Sequence, residues 1–112
     1  MTVQNGDQCR EASPEECRRA IEEEQCRIVD VRTPAEFGQG HLENAMNIDY
    51  YAPDFRERIA ALDREHPYVI YCKKGARGAK AMDILKQAGF RRVYNIAGGV
   101  EGWTRAGLPL RR

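Results

Sequence analysis

The sequence predicts an α/β domain built on a mainly parallel sheet. Short apolar runs such as Arg27-Ile28-Val29-Asp30-Val31, Tyr68-Val69-Ile70-Tyr71 and Val93-Tyr94 carry the β-branched and aromatic bias of buried strands. Segments with helical spacing and capping residues lie between them. Strands that alternate with helices in this way make βα units. A length of 112 residues suits one domain, 1–112, around one modest core.

The elements follow in chain order. Met1 to Asp7 is polar and expected to fray, and Gln8 to Glu11 reads as a short edge strand. Ser13-Pro14-Glu15-Glu16 is a helix start: Ser13 caps, Pro14 takes the first helical position and Glu16 completes a capping box. Cys17, Ala20 and Ile21 give this helix its inward face, and Glu22-Glu23-Glu24 a solvated one. The strand Arg27 to Val31 follows. Thr33 caps a short helix from Pro34 to Phe37, ended by Gly38 and Gly40. His41 holds a turn, and a strand is expected near Ala45 to Ile48. Phe55, Ile59 and Leu62 place a helix within Pro53 to Leu62, and His66-Pro67 turns into the strand Tyr68 to Tyr71. A helix from Ala79 to Ala88, closed by Gly89, precedes a strand within Phe90 to Ile96. Ala97-Gly98-Gly99 then turns into a helix holding Val100 and Trp103, and Arg111-Arg112 is a tail.

The chemistry concentrates at Cys72. In open parallel sheets, ligands bind beyond the carboxyl ends of the strands. Cys72 stands at such an end, as do Arg32 and the Gly98-Gly99 turn by this reading. Lys73, Lys74 and Arg77 give the following loop, Lys73 to Gly78, a local positive charge. Backbone N–H groups and a helix N-terminus favour anions there. Such surroundings favour a reactive thiolate. The opposite reading is a strand-end cysteine that is inert because it is packed.

Composition narrows the partners. Eighteen basic against 17 acidic residues leave a formal charge of +1, which gives no general attraction for nucleic acid or an anionic membrane. No apolar run reaches membrane-spanning length and no signal peptide is evident, so a cytoplasmic location is expected. The four cysteines (Cys9, Cys17, Cys26 and Cys72) lack metal-type spacing and a secretion context, so neither a metal site nor a disulfide framework is expected. No cofactor is implied.

Several segments, in order, resemble the rhodanese-like (sulfurtransferase) family. They are Asp30-Val31-Arg32-Thr33-Pro34-Ala35-Glu36-Phe37, Gly40-His41-Leu42, Ala45-Met46-Asn47-Ile48, Cys72-Lys73-Lys74-Gly75-Ala76-Arg77, Gly98-Gly99-Val100-Glu101-Gly102-Trp103 and Gly107-Leu108-Pro109. The resemblance implies a five-stranded, mainly parallel sheet with helices on both faces. It also implies that Cys72 carries a persulfide between a donor such as thiosulfate and a thiophilic acceptor. The acceptor would be cyanide, a small thiol, or a thioredoxin-like or other protein. Asn44 stands where a glycine is common, a change asparagine tolerates because it visits positive φ. Gly78 stands where the family often has a hydroxyl residue.

On this reading Cys72 is the nucleophile, and Lys73, Lys74, Gly75, Ala76, Arg77 and Gly78 bind the substrate. Asp30, Arg32 and Glu36 support the loop. Two roles stay open for Arg77: facing the substrate, or turning inward to a carboxylate such as Glu36. One of Cys9, Cys17 or Cys26 as a resolving thiol is a further alternative. Other functions compete: a persulfide carrier docking on a partner protein, or an oxyanion enzyme such as a phosphatase or arsenate reductase. The related phosphatases carry one more residue between cysteine and arginine than the four found between Cys72 and Arg77.

Overall fold

A computed structural model describes residues 8–112; the fraying expected of residues 1–7 lies outside them. The elements run β1 (Gln8–Ala12), α1 (Pro14–Glu23), β2 (Arg27–Asp30), α2 (Pro34–Gly38), β3 (Met46–Asn47), α3 (Phe55–Ala60), β4 (Tyr68–Tyr71), α4 (Ala76–Gln87), β5 (Arg92–Ile96) and α5 (Gly99–Arg105). The strands form one sheet in the order β1-β5-β4-β2-β3, and every pairing is parallel. The chain passes from β2 outward to β3 and then back across to β4. The order therefore reverses between β2 and β4, where a crevice opens at the carboxyl ends of the strands.

β4 is the central strand and is buried on both faces, which explains its unbroken apolar run. Val69 and Tyr71 join the core beneath α1 and α5 with Cys17, Ala20, Val100 and Trp103. Tyr68, Ile70 and Cys72 join the core on the other face with Phe55, Ile59, Ala81 and Leu85 of α3 and α4. The strand's tyrosine hydroxyls are partnered: Tyr68 Oη donates to the Asp63 carbonyl at 2.8 Å, and Tyr71 Oη accepts from Leu42 N–H at 3.1 Å.

Both capped helix starts form as expected. Ser13 and Glu16 make a reciprocal capping box at α1, and Thr33 and Glu36 make a second at α2. Asn44 takes φ 69°. Three expectations need correction. Glu24 is not part of the solvated acidic face: it is half-buried and accepts from Tyr94 Oη at 2.9 Å and Arg92 at 3.0 Å. Arg111 is not a loose tail, because its backbone pairs with His41 through hydrogen bonds of 2.8 and 2.7 Å. The helix expected from Ala79 starts at Ala76, since Gly75 at φ 123° takes the chain break alone and frees Ala76 and Arg77 for the first turn.

Candidate active site

Cys72 follows the last residue of β4, and its loop is anchored from behind by α5. The Cys72 carbonyl accepts from Val100 N–H at 2.8 Å, and the Lys73 carbonyl from Glu101 N–H at 3.1 Å. These are donors that a helix start leaves without intrahelical partners. The α5 terminus is thus occupied by the loop's own backbone. The approach is close: a Cβ on Gly99 would lie 2.4 Å from the Lys73 carbonyl oxygen.

On the other side the loop curls over the sulfur. Gly75 N–H donates to Cys72 Sγ at 3.0 Å. The N–H groups of Lys73, Lys74, Ala76, Arg77 and Gly78 have no acceptor among the described residues. They belong to the loop and the first turn of α4, a concave run of donors suited to an anion. Cys72 itself is only 1% exposed, so the thiol lies beneath this run and not on the open surface.

The cations of the loop divide into two kinds. Lys73 and Lys74 are exposed and have no ionic partner among the described residues. Arg77 turns inward: its guanidinium pairs with both Glu36 oxygens, at 2.9 and 3.2 Å, and lies over the Tyr51 ring at 5.6 Å. This answers the choice left open by the sequence. The Arg77 partnership, against the opposing effect of burial, pulls the Glu36 carboxyl from its ordinary 4.5 to about 2. Arg77 in turn is held further into its charged form by its bonds to Glu36, against the opposing effect of burial.

This brace has a pH signature. Because the folded Glu36 value is depressed, its stabilisation is present above pH 4.5 and is lost as pH falls toward 2. A glutamine in place of Glu36 would keep the capping box but lose the charge. We expect Glu36→Gln to cost about 1–3 kcal/mol near neutrality, the pair being partly solvated. Thermal melts should show the wild-type advantage shrinking from pH 6 to pH 2.5. A constant gap over that range would show that the charge pair contributes nothing.

Asp30 and Arg32 brace the neighbouring strand end. Asp30 is fully buried and Arg32 5% exposed; Arg32 Nε and N–H bond the Asp30 carboxylate, and a terminal nitrogen also donates to the Gly40 carbonyl at 2.6 Å. Burial opposes the Arg32 charge, yet Asp30 holds the guanidinium more firmly protonated than usual. His41 stacks on Phe37 at 3.8 Å and holds its turn. A cleft of about 510 Å³ adjoins the loop between α2 and α5, lined by Glu36, Lys73, Glu101 and Arg105 among others; Cys72 does not line it.

The other cysteines lie apart from Cys72. Cys17 and Cys26 belong to the core on the opposite face of the sheet, where burial pushes both thiols up to about 12. Cys9 sits opposite Val93, which pairs with Tyr68 at the far end of β4. That is roughly 13 Å along the strand from Cys72 and two strands across. The resolving-thiol alternative has no geometry behind it.

Sequence reasoning missed Asn95 and Tyr51. Asn95 is fully buried beneath the loop, where its Nδ2 donates to the Gly75 carbonyl at 3.2 Å. The available signal was an amide in the middle of the apolar run Val93-Tyr94-Asn95-Ile96. Tyr51 is 66% exposed and lies over Arg77; nothing in its local sequence pointed to the site.

Fold and site together define an α/β domain that presents a cysteine at the carboxyl end of its central strand, under a run of anion-binding N–H groups. Residues 13–106 match the rhodanese-like domain model, and the chain belongs to that family. It is 37% identical over 93 residues to a sulfurtransferase of Allochromatium vinosum, covering 83% of this chain and 85% of that protein. It is 37% identical over 95 residues to thiosulfate sulfurtransferase 16, chloroplastic, of Arabidopsis thaliana, covering 76% of this chain and 79% of that protein. The crystal structure of a rhodanese-related protein from Thermoplasma volcanium superposes with a TM-score of 0.81 at 28% identity, covering 91% of this chain and 97% of that chain. These relationships support sulfurtransferase activity for the chain. No helix among the described residues is long and apolar enough to cross a membrane.

Proposed function

We propose that the chain moves a sulfane sulfur from thiosulfate, or a related small anionic donor, to a thiophilic acceptor through a persulfide on Cys72. The observation that carries this reading is the Gly75 N–H held 3.0 Å from Cys72 Sγ, within a run of N–H groups that have no other acceptor among the described residues. The Cys72 thiolate attacks the outer sulfur of thiosulfate. The sulfur–sulfur bond of the donor breaks, and its electron pair leaves with sulfite. The new outer sulfur is then attacked by cyanide or by a thiolate, free or on a thioredoxin-like protein, and Cys72 is released as thiolate. No general base is needed when both nucleophiles arrive ionised. Lys73 and Lys74 draw in the donor and stabilise the departing sulfite, while the backbone of Gly75, Ala76, Arg77 and Gly78 holds the terminal sulfur.

Arg77 supports sulfur chemistry over phosphate chemistry. Its guanidinium is committed to Glu36, and only four residues separate it from Cys72. A second reading, a carrier that exchanges sulfur with a partner protein, draws on the exposed Tyr51 next to Arg77, since tyrosine and arginine are favoured anchors at interfaces.

Intact mass after incubation with thiosulfate tests the proposal. The protein should gain one sulfur atom, and cyanide should remove it. No gain on a demonstrably free Cys72 would discard thiosulfate as donor; loading from a protein persulfide instead would establish the carrier.

A further inference from the structure

We infer that Asn95 is a positioning residue for sulfur loading: its amide, wedged between Gly75 and Gly78, anchors the carbonyl side of Gly75 and so restrains the residue whose N–H sits on Cys72 Sγ. The sulfur-loading part of this inference rests on the function proposed above. Asn95 lies on β5 opposite Ile70 of β4, directly beneath the active loop. A carbonyl only accepts, so the amide nitrogen faces the Gly75 oxygen, at 3.2 Å. The Asn95 oxygen then points toward Gly78, buried and without a hydrogen-bond partner among the described residues.

A buried acceptor without a donor is costly. At this fully buried position, between Tyr94 and Ile96, a leucine or valine would remove that cost. The amide therefore has to be explained by what its nitrogen does. The nitrogen holds the carbonyl of the residue that most needs holding. Gly75, at φ 123°, lacks the side chain that would restrict its backbone. Its N–H donates to Cys72 Sγ, while its carbonyl receives Asn95 and, at 3.0 Å, Ala79 N–H. The carbonyl and the N–H lie in the two peptide groups that flank the Gly75 Cα, so releasing the carbonyl frees the Gly75 torsions and lets the donor swing off the sulfur.

Gly78 is the steric partner of the arrangement. A Cβ there would lie 2.2 Å from Asn95 Oδ1 and 3.0 Å from its Cγ. The glycine that stands where a hydroxyl residue is common is thus the space the amide occupies. Any side chain at position 78 has to displace Asn95, and with it the hold on Gly75.

The test uses Asn95→Ala, Gly78→Ala and the double variant, in which the new methyl group enters the space the amide leaves. Asn95→Ala should load sulfur about 10–100-fold more slowly at saturating thiosulfate, less than the about 100–1000-fold of a deleted donor because the Gly75 N–H is loosened and not removed, with KM within about threefold. Hydrogen exchange at the Gly75 amide should quicken at least about tenfold while the β4 amides keep their protection. Gly78→Ala should melt lower. The double variant should recover melting temperature relative to Gly78→Ala yet remain slow to load. Loading within about twofold of wild type in Asn95→Ala, or recovery of loading together with stability in the double variant, would overturn the positioning role. The exchange measurement needs no sulfur donor. If the wild type itself takes no sulfur, the proposed function fails, while a quickened Gly75 amide still supports and an unchanged one rejects the hold of Asn95 on Gly75.

Discussion

Cys72→Ala should abolish sulfur transfer, a fall of at least about 1000-fold, because the atom proposed to carry the persulfide is gone and no second thiol lies near enough to replace it. The fold should survive. The substitution deletes one small buried atom at a strand end and leaves the carbonyl bonds from Val100 and Glu101 in place. The Gly75 N–H loses its partner, and a small void opens on the α3–α4 side of the sheet. The expected cost is about 1 kcal/mol, or about 5 °C in a domain of this size. Turnover and thermal melting measured on one preparation separate the two effects. Turnover above about a tenth of the wild type would remove Cys72 from the centre of the mechanism.

The second large effect is expected at Gly99, which packs against the back of the active loop. An alanine Cβ there would meet the Lys73 carbonyl oxygen at 2.4 Å, its carbon at 2.5 Å and the Cys72 carbonyl oxygen at 2.6 Å. All three are backbone atoms, so no side-chain rotation relieves the overlap. Gly99 also has φ 63°, which a residue with a Cβ adopts only with strain. Either α5 or the loop after β4 has to move, and the Val100 and Glu101 hydrogen bonds go with it. We expect a loss of about 3 kcal/mol or more, a melting decrease above about 10 °C, and sulfur transfer reduced in the protein that remains folded. Gly107→Ala is the control. Gly107 has φ 83°, but a Cβ there meets no atom of the described residues within 4 Å, so Gly107→Ala carries the backbone strain of about 1–2 kcal/mol without the collision. If the two variants melt within a few degrees of each other, the packing of α5 on the loop is not what makes Gly99 necessary.

These two residues also show how far the sequence could be read. Cys72 was legible because a strand, a cationic loop and helix formers follow one another in order, each with its own local signal. The capping boxes at Ser13 and Thr33 were legible in kind, since capping is a matter of a few residues close in sequence. The sequence did not reveal that Glu36 does two things, closing the second box while receiving Arg77 from 41 positions away. That pairing depends on β2 and β4 lying side by side. Asn95 escaped for the same reason: its amide matters only because β5 pairs with β4 and lies beneath Gly75. Reading Lys73 to Gly78 as one loop starts α4 three residues late. In the structure Gly75 alone breaks the chain, and Gly78 is helical and packed against an amide. Local chemistry was read well; contacts made by neighbouring strands were not.

The placement of the cysteines has a consequence for how the protein finishes a cycle. With Cys17 and Cys26 sealed behind the sheet and Cys9 at its other end, Cys72 cannot discharge into an internal disulfide. Whatever charges it must be cleared by a second molecule, so each turnover depends on a separate collision and the resting form is set by the supply of that molecule. The same isolation leaves the thiol without an internal rescue from oxidation. Peroxide reaching it would carry it from sulfenic acid toward irreversible acids unless an outside thiol intervened. Shelter under the loop, at 1% exposure, is then its main protection between encounters.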